Sequence, residues 1–168
     1  MRIDENSISG RFRVRKLKAE DAGEAVELMR GNPLFYEHHP APLTRQSVRE
    51  DMTALPPGKT MDEKHFVGFY QADVLVAIMD LIEDYPARDT AFLGLFMLAR
   101  EKQGCGLGTE MISCCAACLK RAGFQKMRLA VDRGNPQSFA FWKKNGFCLT
   151  GEHSRDGSLE YLLMERLL

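Results

Sequence analysis

The strongest constraint on the fold is a strand–loop–helix–strand unit between positions 91 and 132 of this 168-residue chain. Residues 91–98 are almost entirely apolar, which is typical of a strand buried at the centre of a sheet. A glycine-rich loop follows, then a predicted helix over 107–121 and a strand over 126–132 that alternates apolar and polar residues. Two strands joined through a helix form a parallel pair with a right-handed crossover. The chain is therefore predicted to fold around a sheet that is at least partly parallel.

Further strands are predicted on both sides of this unit. Alternation predicts a strand over 11–15, and apolar runs predict two more over 65–71 and 74–82. Two last strands are predicted near 147–150 and 159–167. The connections before residue 91 are short, which implies antiparallel pairing there.

Helix starts are marked by capping residues. Asp21 and Glu24 form a capping-box pattern that opens a first helix, and Thr44 is the predicted cap of a second. Asn135 is the predicted cap of the last helix, with Pro136 at its first position.

Two segments carry no helix or strand pattern. Residues 1–10 are polar and compatible with disorder, and residues 34–42 form a predicted loop rich in aromatic residues and histidine. The predicted order is βααβββαβαββ in one domain over 1–168. The economical arrangement is an α/β fold with a mixed, mostly antiparallel central sheet and helices on both faces.

Composition excludes several classes of protein. The 23 basic and 23 acidic residues cancel, so nucleic-acid binding through bulk charge is not expected. No apolar run reaches the roughly 18 residues of a membrane span, and the first residues lack the apolar segment of a signal peptide. Most of the five cysteines crowd into 105–118, which argues against a disulfide framework. We therefore expect a cytoplasmic protein that binds neither nucleic acid nor membrane.

The loop Gln103-Gly-Cys-Gly-Leu-Gly-Thr has the chemistry of a phosphate site. Its glycines allow the backbone to turn tightly and to approach a ligand closely. The first N–H groups of the following helix lack partners within the helix and carry the positive end of its dipole, so a pyrophosphate would satisfy both. The loop has neither the Lys-Ser/Thr of a P-loop nor the G-x-G-x-x-G of a dinucleotide fold. A plain tight turn, or a nucleotide-phosphate site that prefers ATP to CoA, are the alternatives.

Two motifs occur in fitting structural contexts. The first is Gln103-x-x-Gly106-x-Gly108, which follows a buried strand and opens a helix. The second is Asn135-Pro-Gln-Ser-Phe-Ala-Phe-Trp-Lys-Lys-Asn-Gly-Phe147. Together they resemble the motifs of the GNAT superfamily of N-acetyltransferases, and the order of elements over about 11–168 is similar as well. The resemblance implies a GNAT fold and direct attack of a primary amine on the thioester of acetyl-CoA.

The resemblance also implies a set of coenzyme contacts. Met97 and Leu98 would pair by main chain with the pantetheine arm, as an added strand does. Asn135, Phe141 and Trp142 would line the thioester end. Backbone N–H groups of the loop would bind the pyrophosphate, and these belong to Gln103, Gly104, Cys105, Gly106, Leu107, Gly108 and Thr109. Acetyl-CoA is thus the expected co-substrate, and a longer acyl group stays open.

Trp142 departs from the family pattern, in which a tyrosine commonly stands here and is thought to protonate the departing thiolate. An indole N–H is only a hydrogen-bond donor. A thiol has a solution pKa of about 8.5, so the thiolate could take a proton from water or from the attacking amine. Trp142 is equally well explained as a core aromatic residue. The departure leaves a second function open, a non-catalytic module that binds acyl-CoA as a sensor or partner protein.

No motif identifies the group that takes the proton of the amine, because residues 91–98 contain no acid. The weak candidates, each as readily explained as a solvated or structural residue, are Asp80, Glu83, Asp84, His65 and Tyr161. The hairpin Glu83-Asp84-Tyr85 is predicted to lie near the acceptor and to attract a cationic amine, and its alternative is a solvated acidic turn. Phe35 and Tyr36 would close over the same site.

No metal site is predicted. Glu37, His38 and His39 are adjacent in a loop, where neighbouring histidines seldom converge on one ion. Cys115-x-x-Cys118 lies within a helix and has no second pair to complete four ligands, so buried apolar cysteines are the better interpretation. The acceptor amine stays open between a small molecule, such as a polyamine, aminoglycoside or amino acid, and a peptide N-terminus or lysine. A homodimer stays open too.

Overall fold

A computed structural model of the chain describes residues 3–38 and 40–168. Within these residues the strands form one seven-stranded sheet in the order β1-β2-β3-β4-β5-β7-β6. The strands are β1 (Arg13–Lys16), β2 (Lys64–Gln71), β3 (Val74–Ile82), β4 (Thr90–Leu98), β5 (Lys126–Asp132), β6 (Cys148–Asp156) and β7 (Leu159–Leu167). The α-helices are α1 (Ala22–Arg30), α2 (Pro33–His38), α3 (Arg45–Thr53), α4 (Leu107–Arg121) and α5 (Pro136–Lys144).

The strand directions confirm the predicted mixed sheet. β4 and β5 run parallel and are joined through α4, and the other neighbouring pairs are antiparallel. β7 lies between β5 and β6, so the last hairpin extends the sheet beyond β5. β6 runs to Asp156, past the predicted 147–150, because its exposed polar residues pair with β7 without showing alternation.

Helices cover both faces of the sheet, as the α/β prediction requires. On one face, Val26 of α1 and Val48 of α3 share a buried cluster with Phe66 of β2. On the other face, Met111 of α4 and Trp142 of α5 lie in a second buried cluster. Each sheet face is therefore sealed by an amphipathic helix layer.

A further helix occupies part of the segment predicted as a loop over 34–42. α2 begins at Pro33, whose fixed φ suits the first turn of a helix. The N–H of Phe35 donates to the carbonyl of Asn32 at 3.2 Å, and the rings of Phe35 and Tyr36 meet edge to face at 5.1 Å. The loop prediction is wrong for 34–38, because a six-residue helix is too short to show its periodicity. The element order is accordingly βαααβββαβαββ.

Residues 3–12 are ordered against the sheet, which corrects the expectation for the described part of 1–10. Ile3 and Ile8 are 2% and 1% exposed in the cluster beneath α4. The N–H of Ile3 donates to Glu83 at 2.9 Å, and Ser7 Oγ lies 3.1 Å from Cys118 Sγ. Two apolar anchors set far apart in a polar segment give no periodic signal, so composition alone misjudged them. Positions 1 and 2 lie outside the described residues.

One predicted helix cap is confirmed here and another is wrong. Thr44 Oγ1 accepts the N–H of Ser47 at 3.0 Å at the start of α3, as predicted. The carboxylate of Asp21 makes no capping bond to α1 and instead accepts from Arg15 at 2.7 Å and from the N–H of Lys18 at 2.7 Å. The guanidinium of Arg15, which binds both oxygens, and the N–H of Lys18 occupy this carboxylate, so it does not cap α1.

Candidate active site

A cleft opens in the middle of the sheet where β4 and β5 separate. Their parallel pairing covers only 90–93 and 126–129, although both strands continue. On the β3 side, Gly94 is an extra residue between the pairs formed by Leu93 and Leu95, which makes it a β-bulge. Bulges bend a strand and are frequent beside active sites. Beyond Leu93, β4 therefore faces an opening where a neighbouring strand would otherwise pair with it.

The glycine loop closes one end of this cleft. Gly104 and Gly106 have φ of +76° and +82°, in the left-handed region that glycine tolerates, and Gly106 is the N-cap of α4. A Cβ built on either glycine would meet no atom within 4 Å, so the space in front of the loop is open. The N–H groups of Leu107, Gly108 and Thr109 start α4 and have no acceptor within the helix. These features fit the pyrophosphate of a coenzyme.

Side chains of the loop hold it in place. Gln103 Nε2 donates to the carbonyl of Leu98 at 2.8 Å and to Asn32 Oδ1 at 2.6 Å. Asn32 Nδ2 donates to the same carbonyl at 3.2 Å. Cys105 is exposed, with its Sγ 3.2 Å from the carbonyl of Lys102. The side chains of Gln103 and Asn32 thus tie the loop to the end of β4, a role that the sequence pattern did not show.

The last residues of β4 present backbone groups to the cleft. The N–H of Ala99 donates to the carbonyl of Val76 at 2.8 Å, which places the backbone groups of Ala99 on the β3 side. Because backbone groups alternate along a strand, those of Met97 also face β3, and those of Phe96 and Leu98 face the cleft. The register therefore favours Phe96 and the N–H of Leu98 as main-chain partners for an extended ligand, and it assigns Met97 a side-chain contact at most.

Four aromatic rings pack between β4 and the α5 region. Phe96, Phe141, Trp142 and Phe147 have neighbouring ring centroids 4.9–6.2 Å apart. Trp142 is 7% exposed and belongs both to the core and to the wall of the cleft. A Cβ on Gly108 would lie 3.2 Å from Phe141, so this glycine lets α5 pack against the first turn of α4.

These elements enclose a coenzyme-sized cavity of about 730 Å³. Every residue predicted to contact the coenzyme lines it except Cys105 and Leu107. Asn135 is 8% exposed in the wall, and its Oδ1 accepts the N–H of Ser138 at 3.0 Å, which confirms the predicted cap of α5. The side-chain oxygen of Asn135 therefore stabilises the start of α5.

A second cavity, of about 590 Å³, lies between the sheet and the helices α1, α2 and α3. The residues that line both cavities are Phe35, Gly94, Leu95, Ala130 and Asp132. The cavities therefore meet at the bulge of β4, where the strands separate and where α2 lies above them. A donor group in the first cavity and an acceptor in the second would meet at this junction.

Carboxylates and aromatic rings dominate the second cavity. Its charged lining residues are Asp51, Asp80, Asp132 and Lys64, and its aromatic ones are Phe35, Tyr36, Phe66, Tyr85, Phe92 and Tyr161. Burial raises the pKa of Asp80, with Lys64 acting in the opposite direction. Burial also raises the pKa of Tyr36 and of Tyr161. The charge of Asp132, which lies directly across from Tyr161 in the sheet, raises the pKa of Tyr161 as well. Both phenols are thus protonated at neutral pH.

The predicted acidic hairpin does not supply these carboxylates. Glu83 is 2% exposed and its Oε1 lies 2.9 Å from His65 Nε2, while Asp84 accepts the N–H of Asp89 at 2.6 Å. Only Tyr85 of the three hairpin residues lines the second cavity. His65, which was also a candidate general base, lies with its Nδ1 2.8 Å from Glu5. Glu83 and His65 therefore hold the N-terminal segment, and neither lines the second cavity. The carboxylates of the cavity come from β3, β5 and α3, which sequence order keeps far apart.

The cysteines and histidines occupy separate places. Cys115 and Cys118 are 0% and 3% exposed in the core, as expected of apolar cysteines, and burial raises the pKa of Cys115. His38 lies at the end of α2, within 4 Å of the position of a Cβ on Gly134. Residue 39 lies outside the described part of the chain. Within that part, no group of three or more potential metal ligands comes together.

Three charged residues that line the second cavity were missed by sequence reasoning: Asp51, Lys64 and Asp132. Asp51 resembles any solvated helix residue, and Asp132 ends a strand as many acids do. Lys64 is 1% exposed, although a lysine at the first position of a strand is normally solvated. No local signal distinguishes them, because their grouping depends on which strands and helices become neighbours.

Comparison with solved structures shows the same fold in other acetyltransferases. An acetyltransferase from Thermus thermophilus is 22% identical, with 94% of this chain and 97% of that chain covered at a TM-score of 0.75. The PaiA N-acetyltransferase of Thermoplasma acidophilum in complex with coenzyme A is 20% identical, with 94% and 99% covered and a TM-score of 0.67. The ribosomal-protein-S18-alanine N-acetyltransferase of Escherichia coli is 16% identical, with 93% of each chain covered and a TM-score of 0.66.

The remaining findings concern curated proteins, membrane spans and the family model. No curated protein matched the chain. Among the described residues, no helix has both the length and the apolar character needed to cross a bilayer. Residues 27–147, which include the glycine loop and the aromatic cluster around Trp142, match the model of the acetyltransferase (GNAT) family, and the chain therefore belongs to that family.

Proposed function

We propose that the protein transfers an acetyl group from acetyl-CoA to the primary amine of a small, positively charged acceptor. The observation that carries the proposal is the pair of cavities that meet at the bulge of β4, one with a phosphate cradle and the other anionic and aromatic. Acetyl-CoA would supply the acetyl group and a thiolate leaving group. The residues described here would bind and orient it, and would bring the amine to its carbonyl carbon.

The coenzyme side of the proposal rests on the fit of the first cavity. The open space before Gly104 and Gly106 and the free N–H groups at the start of α4 suit a pyrophosphate. The cleft edge of β4 suits an extended pantetheine arm, which would reach the junction near Gly94. Gly94 at the junction and Gly104 in the glycine loop both line this cavity, so a long coenzyme that fills it would contact both.

The acceptor side rests on charge and shape. Three carboxylates and one ammonium line the second cavity, a net charge of −2 from those groups. Six aromatic rings surround them, and their faces attract cations. A protonated amine satisfies both features, whereas an anionic acceptor would meet like charge. The volume of about 590 Å³ is within the usual range of small-molecule sites, which favours a small amine over a folded protein.

Acetyl transfer to defined amines tests the proposal. Release of CoA thiol and formation of the acetylated product would be followed with putrescine, tyramine and aspartate as acceptors. We expect turnover with putrescine and tyramine and none with aspartate, because only the first two lack a carboxylate that the cavity would repel. Coenzyme binding without turnover on any amine would contradict the proposal and favour a non-catalytic acyl-CoA-binding module.

Replacement of Asp51 tests recognition of the acceptor charge. Asp51→Asn should raise KM for putrescine about three- to tenfold, because a partly exposed carboxylate contributes about 1 kcal/mol to binding of a cation. Glu50→Gln is the matched control, since it removes the same charge from the neighbouring residue of α3, which does not line the cavity. Equal effects of the two substitutions would mean that Asp51 has no specific part in recognition.

A further inference from the structure

We infer that Asp80 is the proton acceptor for the ammonium group of the substrate, and that Lys64 positions its carboxylate. The inference rests on the proposed function, because it assigns a catalytic role within the acceptor cavity. It supplies a group that neither family motif provides in this chain. It also gives a function to a buried lysine that the fold alone does not require.

Asp80 lies beside the junction of the two cavities. It stands on β3 directly opposite Leu95 and next to the bulge at Gly94. A Cβ on Gly94 would lie 3.0 Å from Asp80 Oδ2, so the carboxylate occupies the space above this glycine. Gly94 lines both cavities. An amine that reaches the coenzyme cavity past Gly94 therefore comes within reach of Asp80.

Lys64 fixes the carboxylate in one orientation. Its Nζ donates to Asp80 Oδ1 at 2.9 Å and to Oδ2 at 2.8 Å. The lysine side chain is 1% exposed and that of Asp80 is 15% exposed, so the ion pair is shielded on the side of Lys64 and open toward the cavity. A buried ion pair costs desolvation and is weak evidence of a role in stability alone. Each carboxylate oxygen keeps a lone pair for the amine.

The surroundings of Asp80 suit a proton acceptor. Burial raises its pKa from the ordinary range of a carboxyl, and the charge of Asp51 on α3 acts in the same sense. Lys64 and His65 on β2 act in the opposite direction and favour the ionised form. The other titratable groups that face the cavity are Tyr36, Tyr85, Asp132 and Tyr161. The two hydrogen bonds from Lys64 stabilise the ionised carboxylate of Asp80, while burial increases its affinity for a proton, and a general base requires both properties.

The neighbouring groups fit this role less well. Asp51 is exposed on α3, whereas the carboxylate of Asp80 lies against the bulge at Gly94. Tyr161 carries its proton at neutral pH because burial raises its pKa, so it is a donor. Asp132 lines the junction from β5, across the opening, and is the rival that the experiment must separate from Asp80.

The proton balance of the proposed step is closed. The substrate ammonium gives one proton to Asp80 and becomes a neutral amine. Its lone pair forms the C–N bond with the thioester carbonyl carbon, and the C–S bond breaks with its electron pair on sulfur. The second proton lost from nitrogen goes to the thiolate, which leaves as CoA thiol. Asp80 returns its proton to solvent before the next turnover.

The test combines kinetics with pH profiles, with putrescine and tyramine as acceptors. Asp80→Asn should lower kcat about 10²- to 10⁴-fold and remove the acidic limb of the kcat/KM profile. Lys64→Met should move that limb to higher pH, because Lys64 lowers the pKa of Asp80.

The double variant Asp80→Asn with Lys64→Met removes both charges of the pair and so guards against misfolding from one unpaired buried charge. Circular dichroism and calorimetric CoA binding would verify that each variant is folded.

Each outcome decides the assignment. Loss of the acidic limb in Asp80→Asn or in the double variant, with CoA binding retained, supports it. A folded variant without the Asp80 carboxylate that keeps the wild-type kcat and limb would overturn it, as would loss of the limb in Asp132→Asn alone. Wild-type protein that binds CoA but acetylates no amine would overturn the proposed function and the role of Asp80 with it. If the wild type is active and Asp80→Asn keeps the wild-type kcat and pH profile, only the role of Asp80 would be overturned.

Discussion

Gly106 meets two separate requirements at one position. Its φ of +82° lies in the region that favours glycine. In addition, a pyrophosphate can approach this backbone closely only if no side chain fills the open space in front of it. Gly108, two residues on, has a different role, because its missing Cβ makes room for the ring of Phe141. Substitutions at the two glycines therefore report on different properties, ligand binding at the first and helix packing at the second.

Gly106→Ala should weaken CoA binding at least about tenfold by calorimetry, because the added methyl group fills the cradle. Gly58→Ala is a matched control, since Gly58 has a φ of +79°, has no atom within 4 Å of a built Cβ, and lines neither cavity. Both variants should lose about 1–3 kcal/mol of stability from backbone strain. An equal loss of CoA affinity in both would show that strain, and no local contact, is responsible.

Trp142 is a packing residue of the aromatic cluster beside the cleft. Its indole contacts the rings of Phe96, Phe141 and Phe147, with centroids 4.9–6.2 Å away. We expect Trp142→Phe to keep kcat within about tenfold of wild type, because neither ring carries a transferable proton. Trp142→Ala should cost about 3–5 kcal/mol of stability in urea unfolding. A fall in kcat beyond a hundredfold in a stable Trp142→Phe protein would instead assign the indole N–H a part in the reaction.

At the scale of elements, the N-terminal segment 3–12 is part of the core. Ile3, Ile8 and Phe12 are buried beneath α4, and His65 lies between Glu5 and Glu83 at 2.8 and 2.9 Å. The segment therefore adds apolar side chains to the core on the sheet face that α4 and α5 cover. Its polar residues contact the sheet edge and solvent, which is why its composition resembles that of a disordered segment.

Ile8→Ala should lower the free energy of unfolding by about 2–5 kcal/mol, because the side chain is 1% exposed and leaves a cavity. Leu167→Ala, at a side chain that is 80% exposed, should change it by less than about 0.5 kcal/mol. Urea denaturation followed by circular dichroism measures both. If Ile8→Ala behaves like Leu167→Ala, the segment contributes little to stability.

At the scale of the whole molecule, the site follows from the separation of two strands. β4 and β5 pair over 90–93 and 126–129 and then part, so the sheet contains a cleft that side chains from both halves can line. The first cavity is lined by residues of α4 and α5, and the second by residues of α2 and α3. Proteins of known structure that are less than 25% identical to this chain share its fold, so very different sequences support this topology.

The sequence by itself determined what depends on neighbours along the chain. The strand–glycine loop–helix unit, the parallel β4–β5 pair and the capping role of Asn135 are set by local hydrophobic periodicity, backbone freedom and hydrogen bonding within a few residues. The same local character made most of the predicted coenzyme contacts line one cavity. A short helix such as α2 and an isolated anchor such as Ile8 carry too few residues to show a period, so they were missed.

Only the tertiary structure decided which residues line the second cavity. Asp51, Asp80 and Asp132 lie on α3, β3 and β5, and no spacing in the sequence links them. The Lys64–Asp80 pair forms because β2 and β3 are antiparallel neighbours. Glu83, only three residues from Asp80, lies outside the cavity and bonds to His65 and Ile3. Local propensities cannot predict such groupings, because charge and burial depend on which distant segments the fold brings together.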